Sequence, residues 1–202
     1  RELENLLTEI GLTPNTIFGY QRGIENINKI PHAEFNLLVS PWVGLKNMKT
    51  MEKTLGIPYL HYPVLPVGAT ETGKFLREVG KFANIDEEKV EAVIKKHEEY
   101  FYYLISRYAD LFLENRVINK QFCVVADAQY SLAITKFLVN DLGLTPAKQF
   151  VTDDTPKEYQ EAIKAEFNNL NFGIKADVAF ETDGFKIHEA IKEHDYHGYP
   201  LV

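Results

Sequence analysis

The sequence predicts an α/β chain: two lobes, each built on a parallel sheet, joined by a long helical linker. Three observations carry this. Short apolar strands alternate with amphipathic helices, the alternation occurs twice in the same order, and a charged, aromatic stretch of helical periodicity runs between the two copies. Strands such as NLLV (36–39) and CVVA (123–126) are apolar at successive positions, which suits a sheet covered on both faces.

The first copy opens with the helix RELENLLTEI, closes it at Gly11 and continues through Leu12-Thr13-Pro14 into a strand, NTIFGY. Much later SLAITKFLVNDL ends at Gly143 and continues through Leu144-Thr145-Pro146 into the strand around KQFVT. Glycine after each helix can adopt the left-handed conformation that satisfies the last carbonyls, and the proline beyond it prevents the helix from continuing. Downstream, AEFNLLVSP, a helix and LGIPYLHY in the first copy face KADVAFETD, a helix and HGYPLV in the second. Each copy therefore runs helix, strand, helix, strand, helix, strand, and both lobes are expected to be Rossmann-like.

The second copy carries one more strand, KQFCVVAD, ahead of its first helix, whereas the first copy starts at Arg1 already inside the corresponding helix. The second copy halts at Val202 in mid-strand, and no methionine precedes Arg1. The expectation is an internal piece of a longer chain. Its parts are a partial Rossmann-like domain over 1–68 without its first strand, a helical connection over 69–118, and a second Rossmann-like domain over 119–202 cut at its C-terminal end.

Within the connection, a helix is predicted from Thr70, as its cap, to Phe82, followed after Asn84-Ile85-Asp86 by a long one from Glu87 to Glu114 with Asp86 as N-cap. Val90, Val93, Ile94, His97, Phe101, Leu104, Ile105, Tyr108, Leu111 and Phe112 recur at helical spacing. They predict a stripe packed across both lobes, widened by Tyr100, Tyr102 and Tyr103.

Composition narrows the function. Lys and Arg number 22 against 29 Asp and Glu, a net charge of −7 with no basic run, so there is little to attract a phosphate backbone and nucleic acid is not an expected partner. The one cysteine, Cys123, rules out an internal disulfide and a cluster or zinc site built from this chain's thiolates alone. Its apolar setting predicts a buried strand residue. No apolar run is long enough to cross a bilayer and no secretory signal opens the sequence, which sets the expectation of a cytoplasmic protein without a membrane partner.

Several stretches invite a site. GATETGK (68–74) has the spacing of a phosphate-binding loop, but Phe75 replaces the Ser or Thr that would hold magnesium, and Pro63 and Pro66 break up any strand leading into it. A loop entering a helix is the expected outcome. VVADAQYS lacks G-x-G-x-x-G, which leaves Asp127 as a helix cap. In DDTPKEY, Thr155, Pro156 and Glu158 spell a capping box. His194 and His197 lie three apart in EHDYHGYP, where Gly198 and Pro200 favour a turn over a metal site. Ser40, at the end of a strand, and His61, near the end of the next, occupy the sheet edge where open α/β proteins collect ligands.

The ordered series NLLVSPWVGLKNMKTMEKTLGIPYLHYPVLPVGATETGKFLREV, the aromatic linker and FCVVAD followed by LAITKFLVNDLGLTP resembles the nitrogenase component 1 family, which includes molybdenum-iron protein subunits, cofactor-assembly scaffolds and dark-operative chlorophyllide-type reductases. In the α-type subunits of that family the position matched by Ser40 is a cysteine that ligates the catalytic iron-molybdenum cofactor. A neutral serine hydroxyl is a poor soft-metal ligand, so the resemblance is to a β-type chain. In that family the β-type subunit helps hold the electron-relaying P-cluster through cysteines of its first domain, which would precede Arg1.

The resemblance thus implies a β-type chain of the molybdenum-iron protein. Its role would be structural and interfacial in a complex reducing dinitrogen to ammonia, with the α subunit and the iron protein reductase as partners and a P-cluster in the parent protein. No cofactor, catalytic residue or metal ligand is assigned within the piece, which is expected to be inactive alone. A cofactor-assembly scaffold or another nitrogenase-like reductase subunit is the alternative within the family. A two-lobed metal-binding receptor and a two-lobed glycosyltransferase are the alternatives outside it.

Overall fold

The computed structural model describes residues 1–16, 23–114 and 121–194, with the backbone alone for 110–114. The first lobe comprises α1 (Glu2–Glu9), α2 (Ile24–Asn28), β1 (Asn36–Val39), α3 (Leu45–Leu55) and β2 (Tyr59–Tyr62), with a short 3-10 turn at Ile30–His32. β1 and β2 run parallel, Asn36 opposite Tyr59 and Val39 opposite Tyr62, as a strand-helix-strand crossover requires. Most of the predicted strand NTIFGY lies outside the described residues, as do the predicted strand HGYPLV and His197.

Two helices follow. α4 (Gly68–Phe82) and α5 (Glu87–Glu114) form a hairpin across Asn84, whose φ of 53° places it in the left-handed region. Close approach is possible because α4 presents Gly80: a β-carbon there would lie 2.7 Å from Val90 Cγ2.

The second lobe comprises β3 (Gln121–Phe122), β4 (Val125–Ala126), α6 (Ala128–Asn140), β5 (Thr145–Pro146), β6 (Gln149–Val151), α7 (Lys157–Phe167), β7 (Val178–Phe180) and α8 (Gly184–Glu193). All its strand pairings are parallel: β3 with β5, and β4-β6-β7 with β6 central. The predicted strand KQFCVVAD is thus two short ladders interrupted at Cys123 and Val124. The buried Gln149 side chain bridges the interruption: its amide donates to the Phe122 and Ala147 carbonyls at 3.1 and 2.6 Å, and its oxygen accepts from Val124 N–H at 2.9 Å and Thr135 Oγ1 at 3.2 Å. All four of its hydrogen-bonding capacities are used, which is what lets a polar side chain sit in an apolar core.

One continuous hydrophobic cluster joins the lobes. Leu60, Tyr62 and Val64 from the first meet Phe75, Leu76 and Val79 of α4, and the cluster continues to Leu132 and Val139 of α6 and to Ile163 and Phe167 of α7. The linker is therefore a core element.

Three local expectations are corrected. α4 begins at Gly68 rather than Thr70, and Thr70 is a donor instead of the cap: its N–H and hydroxyl both go to Asp141 Oδ1, at 3.0 and 2.9 Å, from the far end of α6. Thr155 does not cap α7 through a capping box; its hydroxyl turns back to Asp153 Oδ1 at 2.8 Å. The α5 stripe buries Val90 and Ile94 and half-buries His97, Phe101 and Ile105, whereas Tyr100, Tyr102, Tyr103, Leu104 and Tyr108 are exposed. Leu111 and Phe112 have side chains outside the described residues. By contrast Asp86 and Asp127 cap α5 and α6 as expected, accepting from Glu88 N–H at 3.1 Å and Tyr130 N–H at 2.9 Å.

Candidate functional site: the crevice between the lobes

Parallel strands end on the same side of their sheet, so the C-terminal ends of β1, β2 and β6 and the start of α6 share one crevice, the usual place for a ligand in an open α/β protein. The chain leaves β1 through Ser40-Pro41 and turns at Gly44, whose φ of 88° calls for glycine and where a β-carbon would lie 3.2 Å from Leu38 Cδ1. That turn projects Trp42 toward the second lobe. Its indole N–H donates to Asp153 Oδ2 at 3.0 Å, and its ring stacks on Tyr159 of α7 at 6.1 Å between centroids and 20° between planes. From the other side Gln129, on the first turn of α6, donates to the Val39 carbonyl at 3.2 Å. The crevice is bridged by these three contacts. What opens beside them is a cavity of about 100 Å³ bordered by Trp42, Gly44, Lys46, Asn47, Pro156 and Tyr159.

Ser40 is 5% exposed, and its hydroxyl has no hydrogen-bond partner among the described residues. What lies against it is His61, whose Nε2–H donates to the Ser40 carbonyl, not to the hydroxyl, at 2.8 Å. The serine therefore has no base in line with its oxygen, and the pair is a backbone tie between adjacent strands rather than an activated nucleophile. Cys123 is half-buried at the break between β3 and β4, and burial pushes its thiol up to about 11, the opposite of what a thiolate ligand needs.

Among the described residues no three His, Cys, Asp or Glu side chains are grouped to hold a metal ion. His194 closes α8. The stretch 68–74, with the spacing of a phosphate loop, forms the first turns of α4, so its amides are not arranged as a cradle. Two buried polar groups elsewhere are paired within the fold. Tyr62 donates to Glu71 Oε1 at 2.6 Å under α4, and Lys136, 2% exposed, pairs with Glu166 at 2.9 Å.

The chain is thus a two-lobed α/β protein with parallel sheets, a bridging helical hairpin and a crevice bridged at the strand ends, a class of fold that serves many functions, and comparison with known proteins gives the family. The family model described as nitrogenase component 1 type oxidoreductase matches residues 1–197, and the chain belongs to that family. Similar curated proteins are the B-type subunits of light-independent protochlorophyllide reductase. The one from Angiopteris evecta is 30% identical over 152 residues, 71% of this chain and 28% of the relative. That from Heliobacterium modesticaldum is 27% identical over 185 residues, 92% of this chain and 33% of the relative. The chain thus spans about a third or less of these relatives. The solved structure of nitrogenase Cp1 at pH 6.5 shares the fold, with a TM-score of 0.67 and 18% identity, over 100% of this chain and 49% of that one.

The clusters that component 1 proteins carry do not fit the donors present here. A single thiol held protonated by burial, and a serine hydroxyl whose neighbouring imidazole is tied to the backbone, offer no soft-metal ligand set. Among the described residues no helix is long and apolar enough to cross a membrane.

Proposed function

We propose that the chain is part of a β-type component of a nitrogenase-like reductase, equivalent to the B-type polypeptide of its relatives. It supplies scaffold and subunit interface, while the cluster ligands and the reacting groups come from elsewhere in the assembly. The observation that carries this is Ser40. At the strand end where a cofactor-holding chain needs a thiolate, this chain has a buried hydroxyl, and the crevice beside it is bridged by Trp42, Asp153 and Gln129. The B-type relatives point the same way, and they favour a protochlorophyllide-type parent over the molybdenum-iron protein β chain that the resemblance implied. In either parent an iron-sulfur cluster relays electrons delivered by a separate reductase component to an α-type companion, in the cytoplasm, without nucleic acid or membrane. The division into 1–68, 69–118 and 119–202, with no catalytic, cofactor or metal residue in any of them, is part of the same proposal.

The test is co-expression of the full reading frame containing this chain with its α-type companion and reductase under anaerobic conditions, assayed for chlorophyllide formation and for acetylene reduction. Chlorophyllide formation supports the protochlorophyllide-type parent, and acetylene reduction supports the molybdenum-iron type. A stoichiometric iron-sulfur cluster assembled on the 202-residue chain alone by iron and sulfide would overturn the scaffold reading.

A further inference from the structure

The second half of α5 carries a face that the described residues leave uncovered. Tyr100, Tyr103, Leu104 and Tyr108 are 63, 52, 37 and 55% exposed, and with Arg107 they fall at i, i+3, i+4, i+7 and i+8, the spacing of a helix stripe that packs against a neighbour. Single exposed aromatics need no explanation, whereas large side chains gathered on one stripe mark an interaction surface. Tyrosine and arginine are also enriched where proteins meet.

The stripe resolves into two ridges of four-residue spacing. One runs Glu99, Tyr103, Arg107, and the other runs Tyr100, Leu104, Tyr108. The first has a ring at its centre and opposite charges one turn to either side. The second is the same read in either direction. Glu99 is held by Lys95 at 3.9 Å with both side chains exposed, a pair that contributes little. The Arg107 guanidinium lies 5.0 Å over the Tyr103 ring and donates to its hydroxyl at 2.6 Å, which keeps the cation beside the central ring.

A two-fold axis crossing α5 at the level of Tyr103 and Leu104 sets each ridge against its own equivalent running the other way. Glu99 of one protomer then meets Arg107 of its partner, twice, while Tyr103 and Leu104 meet their own copies and Tyr100 meets Tyr108. The pattern complements itself, which an isologous interface requires and a surface for an unrelated protein does not. We propose that this face of α5 pairs two copies of the chain antiparallel, with Glu99 and Arg107 setting the register and the tyrosines supplying the contact. This deepens the interface role proposed above, on which it rests, by naming the partner.

Sedimentation velocity on the 202-residue chain and its variants tests the pairing. The parent chain is expected to dimerise. Glu99→Arg and Arg107→Glu each set like charges opposite one another twice, and each is expected to weaken the dimer at least about tenfold. An equimolar mixture of these two variants regains both ion pairs in the heterodimer, as the double variant does in its own dimer, and both are expected to return to within about threefold of the parent. Circular dichroism establishes that each variant is folded. A parent chain that stayed monomeric up to about 0.1 mM, a dimer indifferent to both single substitutions, or losses that the mixture did not recover would overturn the proposal. Association is read without any reaction, so its failure and the failure of the reductase assays are separate results.

Discussion

Trp42 and Asp153, which are 111 positions apart in sequence, close the crevice between the two lobes with a 3.0 Å hydrogen bond from indole to carboxylate. The same carboxylate accepts the Thr155 hydroxyl on its other oxygen at 2.8 Å, so the acceptor is held before the indole arrives. A hydrogen bond to a charged acceptor contributes about 1.5–3 kcal/mol, and more of it is realised when one partner is already positioned.

Trp42→Phe keeps much of the ring stack on Tyr159 and removes only the donor. It is expected to lower stability by about 1–2 kcal/mol, which for a chain of this size is a melting temperature lower by roughly 2–8 °C. Asp153→Asn should cost less, because an amide oxygen still accepts. The double variant should fall short of the sum by about 1 kcal/mol if the two residues are coupled, and urea denaturation of the four proteins reads this directly.

Gly68 sits at φ +80°, and a β-carbon there would run into Asp141 and Phe137. Gly68→Ala therefore combines left-handed strain with a collision at the point where Asp141 ties α6 to the start of α4, at an expected cost of about 2–4 kcal/mol. Gly143→Ala is the control: its φ is +70° but nothing lies within 4 Å, so only the backbone cost of about 1 kcal/mol applies. The difference between the two unfolding free energies isolates the collision.

Cys123 provides a kinetic reporter. Burial raises its thiol from 9.0 to about 11, so near pH 8 its thiolate fraction in the folded chain is roughly a hundredth of that in the unfolded one. Modification by a disulfide reagent at pH 8 is expected to be slower by about two orders of magnitude in buffer than in denaturing urea. Comparable rates in the two conditions would mean the thiol is not held as the fold places it.

The repeat was legible because its signals are local and occur twice: Gly11 and Gly143 both take positive φ, at 106° and 70°, after their helices. Caps at Asp86 and Asp127 were legible for the same reason. What escaped the sequence depends on partners far along the chain. Thr70 looked like a cap because Asp141, which is 71 positions away, was not visible beside it. The interruption of the strand at Cys123 could not be seen either, because the residue that repairs it is Gln149 on the neighbouring strand. The α5 stripe followed helical spacing faithfully, but periodicity says which residues share a face and not how far along the helix a neighbour covers it; α4 and α1 cover the first half, and the tyrosines beyond are exposed. At the crevice, Ser40 and His61 were singled out by position, whereas the bond between them, to a backbone carbonyl, needed coordinates.

Tyr62 gives the pH dependence. It is 4% exposed, and its phenol donates to Glu71 Oε1 at 2.6 Å. Burial first, then the bond to Glu71 and its charge, push this phenol far above its ordinary value of 10.0. Below that value the phenol is protonated in both folded and unfolded chains, and its contribution to stability is complete. Above it the unfolded chain loses the proton while the folded one keeps it, so the unfolded state binds fewer protons and stability falls, by up to about 1.4 kcal/mol per pH unit from this group. Tyr62→Phe should be less stable than the parent by about 1.5–3 kcal/mol at pH 7, because Glu71 loses its buried donor. The same variant lacks this share of the alkaline slope, so the gap between the two proteins should narrow through about pH 10 to 11 in urea titrations. A gap that stayed constant over that range would show that Tyr62 titrates as an ordinary exposed phenol and that the Tyr62–Glu71 bond does not persist in solution.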